Sequence, residues 1–176
     1  KIVKCDLLEK KNIKIALKGI DTIIHCAAIN GTKNFYNNPS LVLDVGVAGL
    51  INLVESCKDK KIDNFFLASS SEVYHLPKQI PTSEKVKMVI PDVYNPRYSY
   101  AGSKIFSELY AIHKCSKIFK RTVIFRPLLA RVFSNSFVVL EKIYPCQFDA
   151  VLAFTCSHHF KAVAMKKAFP SFSWLK

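Results

Sequence analysis

The sequence lacks a run of 18 or more uncharged apolar residues, and its first residues do not follow the pattern of a secretory signal peptide. We therefore expect neither membrane insertion nor secretion, and we predict a cytoplasmic protein. The six cysteines include no C-x-x-C pair and no zinc-ligand spacing, which argues against a disulfide framework and structural zinc. Cys156, His158 and His159 lie close together without a second group of ligands, so no metal site is predicted there.

Acidic side chains and arginine are both scarce. The chain has 13 Asp and Glu against 26 Lys and Arg, only four of them Arg, and its formal net charge is +13. The lysines are spread along the chain without a block of five or more like charges. This excess favours anionic partners such as phosphates in general. A solvated, lysine-rich surface is a better interpretation than a nucleic-acid groove, so no nucleic-acid partner is predicted.

Glycine is scarce as well, with five residues in all and none after Gly102. The connections of α/β proteins normally need glycine at turns and helix ends. Beyond Pro127 the only acidic residues are Glu141 and Asp149, while seven of the 13 Phe and the single Trp lie there. We therefore predict that a domain ends at residue 127 and that residues 128–176 are a tail foreign to it, a frameshifted or spliced end. A disordered or small helical extension is the alternative.

Alternating strand and helix patterns run through residues 1–127. The chain of 176 residues, half of them hydrophobic, is long enough for one domain with a core. The predicted strands are KIVKC, DTIIHCAA, NFFLASS and RTVIFRP; the predicted helices cover about residues 9–18, about residues 39–60, and a segment that begins near Tyr98. In the second helix we assign the apolar face to Leu41, Leu43, Val47, Leu50, Leu53 and Val54. Strands that alternate with helices predict an α/β fold with a doubly wound parallel sheet.

A Tyr-x-x-x-Lys spacing occurs three times, as Tyr74 with Lys78, Tyr100 with Lys104, and Tyr110 with Lys114. Seven tyrosines in a chain this rich in lysine give about one such pair by chance, so the surroundings must decide between them. Tyr100 and Lys104 lie one turn apart on one helix face, so the ammonium can approach the phenol. We expect this to bring the pKa of Tyr100 below about 10 and to allow acid/base chemistry on a substrate hydroxyl.

Four segments occur in an order and spacing that resembles a known family: DTIIHCAA, NFFLASSSEVY, NPRYSYAGSKIFSEL and RTVIFRP. Together they resemble the extended short-chain dehydrogenase/reductase family, the NAD-dependent sugar-nucleotide epimerases and dehydratases, over about residues 1–127. The narrower resemblance is to bacterial proteins of surface-polysaccharide biosynthesis. The resemblance implies a Rossmann-like fold, NAD as cofactor with NADP left open, a nucleotide-sugar substrate, and a homodimer in the complete enzyme.

The resemblance also implies roles for individual residues. Tyr100 matches the catalytic tyrosine, Lys104 the lysine that lowers its pKa and binds the nicotinamide ribose, and Ser70 the catalytic Ser/Thr. Asp6 and Leu7 match the pair that flanks the adenine, and Ala27 and Ala28 match small residues that let the cofactor approach the backbone. Without the resemblance, Ser70 would be interpreted as a loop hydroxyl that caps a backbone group, and Ala27 and Ala28 as ordinary core.

Glu72 bears on the type of reaction. In the dehydratases and decarboxylases of this family a carboxylate just after the catalytic Ser/Thr acts on the sugar after its C4 hydroxyl is oxidised. Simple 4-epimerases commonly have uncharged residues there. The segment SSE, with Glu72, resembles the first branch, but a solvated loop glutamate is an equal alternative. The sequence therefore leaves epimerisation, dehydration and decarboxylation open.

The chain also departs from the family. It contains no G-x-x-G-x-x-G phosphate loop. In the usual strand order 3-2-1-4-5-6, the strand KIVKC would have no neighbour. We therefore predict an incomplete Rossmann-like sheet. LLARVFSNSF after Pro127 does not match, Gly46 stands where many members have Asn, and His75 stands where Gly is usual. Two interpretations follow: an enzyme seen as an incomplete chain, or a non-catalytic remnant or interaction module that cannot hold NAD by itself.

Overall fold

The computed structural model describes residues 2–126, 150–157 and 159–166. The strands are β1 (Ile2–Lys4), β2 (Thr22–His25), β3 (Asn64–Ala68), β4 (Arg121–Phe125), β5 (Ala150–Ser157) and β6 (His159–Lys166). The helices are α1 (Lys10–Ala16), α2 (Thr32–Asn37), α3 (Pro39–Leu43), α4 (Gly49–Cys57) and α5 (Ser99–His113). All four strands and all three helices predicted from residues 1–127 are therefore present. Helix α2 was not predicted.

The six strands form one sheet in the order β1-β6-β5-β2-β3-β4. Strands β5, β2, β3 and β4 run parallel, while β6 runs antiparallel to both of its neighbours. Every residue of β2 is buried, and so is every residue of β3 after Asn64, as expected for strands covered on both faces. The predicted α/β class with a Rossmann-like parallel sheet is confirmed.

The prediction that the first strand has no neighbour is wrong. β1 pairs with β6, with Ile2 opposite Val163, and β5 pairs with β2, with Thr22 opposite Val151. Any extended segment offers backbone donors and acceptors, so strands from the tail can fill the gap between β1 and β2. A helical extension is therefore wrong for residues 150–157 and 159–166. The rest of the tail lies outside the described residues, and its origin and the boundary at 127 stay predictions.

The main core lies where α1, α4 and α5 pack on one face of the sheet. Its fully buried side chains include Leu50, Leu53 and Phe65. Leu41 and Leu43, assigned to the apolar face, are exposed at 43% and 42%, whereas Val42 between them is buried, so the core-facing side of α3 is the side of Val42. The helical stretch Pro39–Cys57 is long and apolar enough to cross a membrane by composition, but half of it is buried inside the domain, as core helices are.

A π-helical segment, Asp44–Ala48, joins α3 to α4. It faces α5, where Gly46 approaches Ser103 so closely that an added Cβ would lie 2.7 Å from the serine side chain. The hydroxyl of Ser107 donates to the carbonyl oxygen of Gly46 over 3.4 Å. The absence of a side chain at Gly46 therefore sets how closely α5 approaches the sheet-covering helix.

Candidate active site

Three segments meet beyond the carboxyl ends of β2 and β3. Ala27 and Ala28 follow β2, Ser70 follows β3, and Tyr100 lies in the first turn of α5. The phenol of Tyr100 is buried, and its ring stacks on Phe35 of α2 with 5.2 Å between ring centroids. The parallel sheet thus brings together, at one edge, residues to which the resemblance assigns catalytic and cofactor-binding roles.

Ser70 serves both as a cap and as a partner of Tyr100. Its Oγ accepts a hydrogen bond from the backbone N–H of Glu72 at 3.2 Å and so begins the short 3-10 turn Ser71–Tyr74. A serine hydroxyl can accept one bond and still donate another. The Ser70 side chain also interacts with the Tyr100 phenol and lowers the pKa of Tyr100. The capping and catalytic interpretations of Ser70 are therefore compatible.

Lys104 lies one turn after Tyr100, with its ammonium group buried. Its Nζ donates to the carbonyl oxygen of Ala68 at 2.7 Å and lies 5.6 Å from the centroid of the Tyr100 ring. Burial lowers the pKa of Lys104 to about 8, while Cys26 and Glu108 oppose this shift. The ammonium is thus held against the end of β3, beside the ring of Tyr100.

The expectation that the pKa of Tyr100 lies below 10 is not met in this structure. Burial raises the pKa of the phenol to about 12, the hydrogen bond with Ser70 lowers it in part, and Glu72 and Cys26 raise it. The spacing of the two residues was enough to place Lys104 beside Tyr100. It gave no information on how deeply the phenol is buried, and burial makes the phenolate costly to form.

Glu72 forms an ion pair with Arg97, with 2.8 Å between Glu72 Oε2 and Arg97 Nη1. Both side chains are about one-third exposed. The guanidinium of Arg97 also lies 5.0 Å from the centroid of Phe35, the ring that stacks on Tyr100. The carboxylate is therefore held near the phenol and is not a freely solvated loop glutamate. Arg97 was not predicted from the sequence, although its place three residues before Tyr100 is a detectable signal.

The other two Tyr-x-x-x-Lys pairs have different surroundings. The hydroxyl of Tyr74 accepts a 2.6 Å hydrogen bond from Arg126, and Lys78 is exposed. The ring of Tyr110 packs against the main core, and Lys114 is exposed. Among the three pairs, only Tyr100 and Lys104 are buried together beyond the carboxyl ends of the strands.

A family model for the "NAD dependent epimerase/dehydratase family" matches residues 1–130, most of the chain. The chain belongs to this family. The match covers all the residues of the candidate site, and it includes the segments that first suggested the resemblance.

Individual relatives agree with this assignment. The chain is 30% identical over 121 residues to the decarboxylating sterol-4-alpha-carboxylate 3-dehydrogenase of Bos taurus, covering 68% of this chain and 32% of that protein. It is 33% identical over 96 residues to the UDP-glucuronate 4-epimerase of Thermodesulfobacterium geofontis, covering 53% and 28%. The chain thus spans about a third of the length of the curated relatives that it matches.

The fold agrees as well. The crystal structure of UDP-glucose 4-epimerase from Brucella ovis in complex with NAD superposes with a TM-score of 0.62 at 21% identity, over 72% of this chain and 38% of that chain. At this identity the likeness concerns the fold. It supports a Rossmann-like α/β fold.

The residues expected to hold the nicotinamide end of NAD lie near the carboxyl ends of β2 and β3. Ala27 and Ala28 follow Cys26 after β2, and both are buried, Ala27 in the main core and Ala28 beside Phe35 and Tyr100. The bond from Lys104 to Ala68 uses one of the three ammonium donors. At the adenine end, Asp6 accepts from the N–H of Leu8 at 2.9 Å, and the Leu7 side chain is buried in the main core. The roles of all these residues toward NAD stay predictions.

His75 and Gly46, two of the noted departures from the family, have clear structural settings. His75 adopts φ +54°, a backbone region that favours glycine, and its ring contacts Tyr98 edge-on at 5.6 Å. Gly46 lies in the π-helical segment against Ser103, where an Asn side chain would not fit without movement. His75 therefore adopts a glycine-type backbone conformation although it carries a side chain. Gly46 allows the close approach of Ser103 because it carries none.

Two further residues next to the site were not predicted to take part in it. Glu108, one turn after Lys104, is buried at 1% exposure and binds the guanidinium of Arg126 at the end of β4. A carboxylate four residues after a buried lysine on the same helix face is the signal that could have found it.

As for metals, no group of three or more His, Cys, Asp or Glu forms a ligand cluster among residues 2–126, 150–157 and 159–166, and His158 lies outside these ranges.

Proposed function

We propose that the whole protein is an NAD-dependent enzyme that epimerises or dehydrates a nucleotide sugar by transient oxidation at C4. The single observation that carries the proposal is the buried Tyr100 phenol, whose pKa the Ser70 side chain lowers and whose ring lies beside the buried Lys104 ammonium, beyond the carboxyl ends of the strands. A role in surface-polysaccharide biosynthesis, a cytoplasmic location and a homodimer belong to the same proposal.

In this mechanism Tyr100 takes the proton of the C4 hydroxyl and returns it at the end of the cycle. NAD, when bound, supplies the acceptor and later the donor of the hydride. Ser70 orients the hydroxyl and stabilises charge on the phenol oxygen. Lys104 contributes positive charge beside the Tyr100 ring. Burial raises the pKa of Tyr100 to about 12, and Ser70 offsets part of the cost of forming the phenolate.

Glu72 is the residue that we propose to decide the later step. Its ion pair with Arg97 holds the carboxylate near Tyr100. A carboxylate in this position can accept a proton from a carbon next to an oxidised C4, as dehydration requires. It can also stay uninvolved while the sugar turns over and is reduced from its other face.

A non-catalytic remnant or interaction module is the second candidate function. The observation in its favour is that the 176 residues contain no Gly-rich phosphate loop. Under this alternative Tyr100 and Lys104 would keep their places only as part of the fold.

The test is turnover by the whole protein with NAD and a panel of UDP- and GDP-sugars, with products identified by NMR. We expect one sugar to be converted, and Tyr100→Phe to abolish conversion while NAD binding changes little. Tyr110→Phe is the matched control and should stay active. Conversion retained by Tyr100→Phe would show that the wrong tyrosine was chosen, and no conversion of any sugar would favour the non-catalytic module.

A second variant separates the reactions. Glu72→Gln is expected to abolish a dehydrated or decarboxylated product while 4-epimerisation persists. If the wild-type product is an epimer only and Glu72→Gln forms it equally well, Glu72 has no role in the chemistry.

A further inference from the structure

One face of α5 contacts the end of β3 at three successive places. Tyr100, Lys104 and Glu108 follow one another at intervals of four residues and so lie on the same face of the helix. Each interacts with one of three consecutive residues: the Tyr100 phenol with the Ser70 side chain, which lowers its pKa, Lys104 as donor to the Ala68 carbonyl, and Glu108 Oε1 as acceptor from the Ser69 hydroxyl. The first two contacts belong to the candidate site, and the third does not.

Glu108 is held by Arg126 as well. Arg126 Nε donates to Glu108 Oε1 at 2.8 Å, and Nη2 donates to Oε2 at 2.6 Å, a two-point contact between guanidinium and carboxylate. The carboxylate is 1% exposed and the Arg126 side chain 18%. Paired contacts of this kind fix orientation as well as distance. The position of the carboxylate that binds Ser69 is therefore set by the end of β4.

Arg126 connects further segments that surround Ser70. Its Nη1 donates to the Tyr74 hydroxyl at 2.6 Å and to the Glu84 carbonyl at 3.0 Å. The guanidinium also lies 5.1 Å from the centroid of the Tyr74 ring. Tyr74 ends the 3-10 turn that Ser70 begins. The Glu108–Arg126 pair therefore holds residues on both sides of Ser70, through Ser69 before it and Tyr74 after it.

We propose that Glu108 and Arg126 are positioning residues of the active site, which hold the segment 68–70 against α5 so that Ser70 faces the Tyr100 phenol and Lys104 stays beside it. The inference rests on the proposed function of Tyr100 and Ser70. Neither Glu108 nor Arg126 is required to touch substrate or cofactor.

The pair also acts on Lys104 through charge. Glu108 raises the pKa of Lys104 against the effect of burial. The other titratable groups close to the ammonium are Tyr100 on α5 and, following β2 or within it, Cys26 and His25. Removal of the Glu108 charge would leave the Arg126 guanidinium without its carboxylate in the same neighbourhood. Lys104 would then lose its proton at lower pH.

The experiment uses the 176-residue chain with ¹³C-labelled tyrosine and lysine, so that it does not depend on turnover. The Tyr100 Cζ signal, assigned with Tyr100→Phe, reports the hydrogen bond to the phenol, and the Lys104 side-chain signal, assigned with Lys104→Arg, reports its titration. Ser70→Ala defines the shift caused by loss of the serine. Glu108→Gln is the test variant. Arg126 donates to both carboxylate oxygens of Glu108, and in glutamine an NH₂ group, itself a donor, takes the place of one of them. Glu55→Gln, which removes the carboxylate of an exposed ion pair with Lys58, is the matched control.

We expect Glu108→Gln to shift the Tyr100 signal in the same direction as Ser70→Ala does, and the double variant to shift it little further. Glu108→Gln should also lower the pH midpoint of the Lys104 titration. Glu55→Gln should change neither signal. Wild-type Tyr100 and Lys104 signals in Glu108→Gln would overturn the inference. If Glu108→Gln does not fold, Ser69→Ala decides, since it removes one hydrogen bond and no charge and should move the Tyr100 signal likewise. If the chain shows the expected shifts and the whole protein converts no sugar, the proposed function is refuted and the positioning stays intact.

Discussion

The ammonium nitrogen of Lys104 lies 2.7 Å from the carbonyl oxygen of Ala68, so the lysine is bound to the end of β3. The same nitrogen, which carries the positive charge, lies 5.6 Å from the centroid of the Tyr100 ring. The bond fixes the distance between α5 and the sheet at the point where Ser70 follows. The lysine is thus part of the scaffold of the site as well as a source of charge.

The Tyr100 phenol is expected to ionise with a pKa of about 12, because burial outweighs the hydrogen bond from Ser70. The phenolate absorbance of the wild-type chain minus that of Tyr100→Phe, followed against pH, measures this group alone. A midpoint below 10 would mean that Lys104 dominates over burial, as the spacing of the two residues had suggested.

Acid should destabilise the fold through His25. Burial, and secondarily the charge of Lys104, lowers the pKa of His25 from 6.5 to about 3. Between these values the unfolded chain binds a proton that the folded chain does not, so the free energy of unfolding falls as pH decreases from 6.5. The slope is about 1.4 kcal/mol per pH unit.

Denaturant unfolding at several pH values between 6.5 and 4.5 measures this slope. His25→Gln should remove it from the total, whereas the same substitution at exposed His113 should leave it. Equal slopes in the wild type and His25→Gln would contradict the prediction.

Gly46→Ala is expected to destabilise the fold by about 1–3 kcal/mol, because the new methyl group would lie 2.7 Å from the Ser103 side chain on α5. Gly102→Ala is a matched control in a helix, with 3.4 Å to the nearest atom, and should stabilise by up to about 1 kcal/mol. Thermal unfolding gives both signs, and Ser103→Gly should rescue Gly46→Ala. Stabilisation by Gly46→Ala would show that the two helices are free to separate.

A chain of these 176 residues is expected to bind NAD weakly or not at all, since no series of glycines in it can form the loop that cradles the pyrophosphate. Calorimetric titration measures this, with the UDP-glucose 4-epimerase of Brucella ovis, crystallised in complex with NAD, as positive control. Saturable micromolar binding by the 176-residue chain would refute the expectation, and it would mean that the nicotinamide-side residues suffice.

Local pattern determined a large part of the molecule. The runs TIIH and NFFLA are apolar throughout and form buried strands wherever parallel pairing is available. Helical spacing placed Tyr100 and Lys104 on one face of α5. Resemblance of ordered segments gave the family, which the family model confirms. These features depend on residues close together in the chain, so the sequence alone was sufficient.

Only the tertiary structure decided the rest. The place of β5 and β6 between β1 and β2 depends on backbone pairing that any extended segment can supply. No pattern of side chains in the sequence therefore predicts it. The Glu108–Arg126 contact joins residues from two elements, and the raised pKa of Tyr100 comes from the protein around it. Burial and long-range contacts are properties of the packed chain, and they determine how the predicted residues of the site are held and charged.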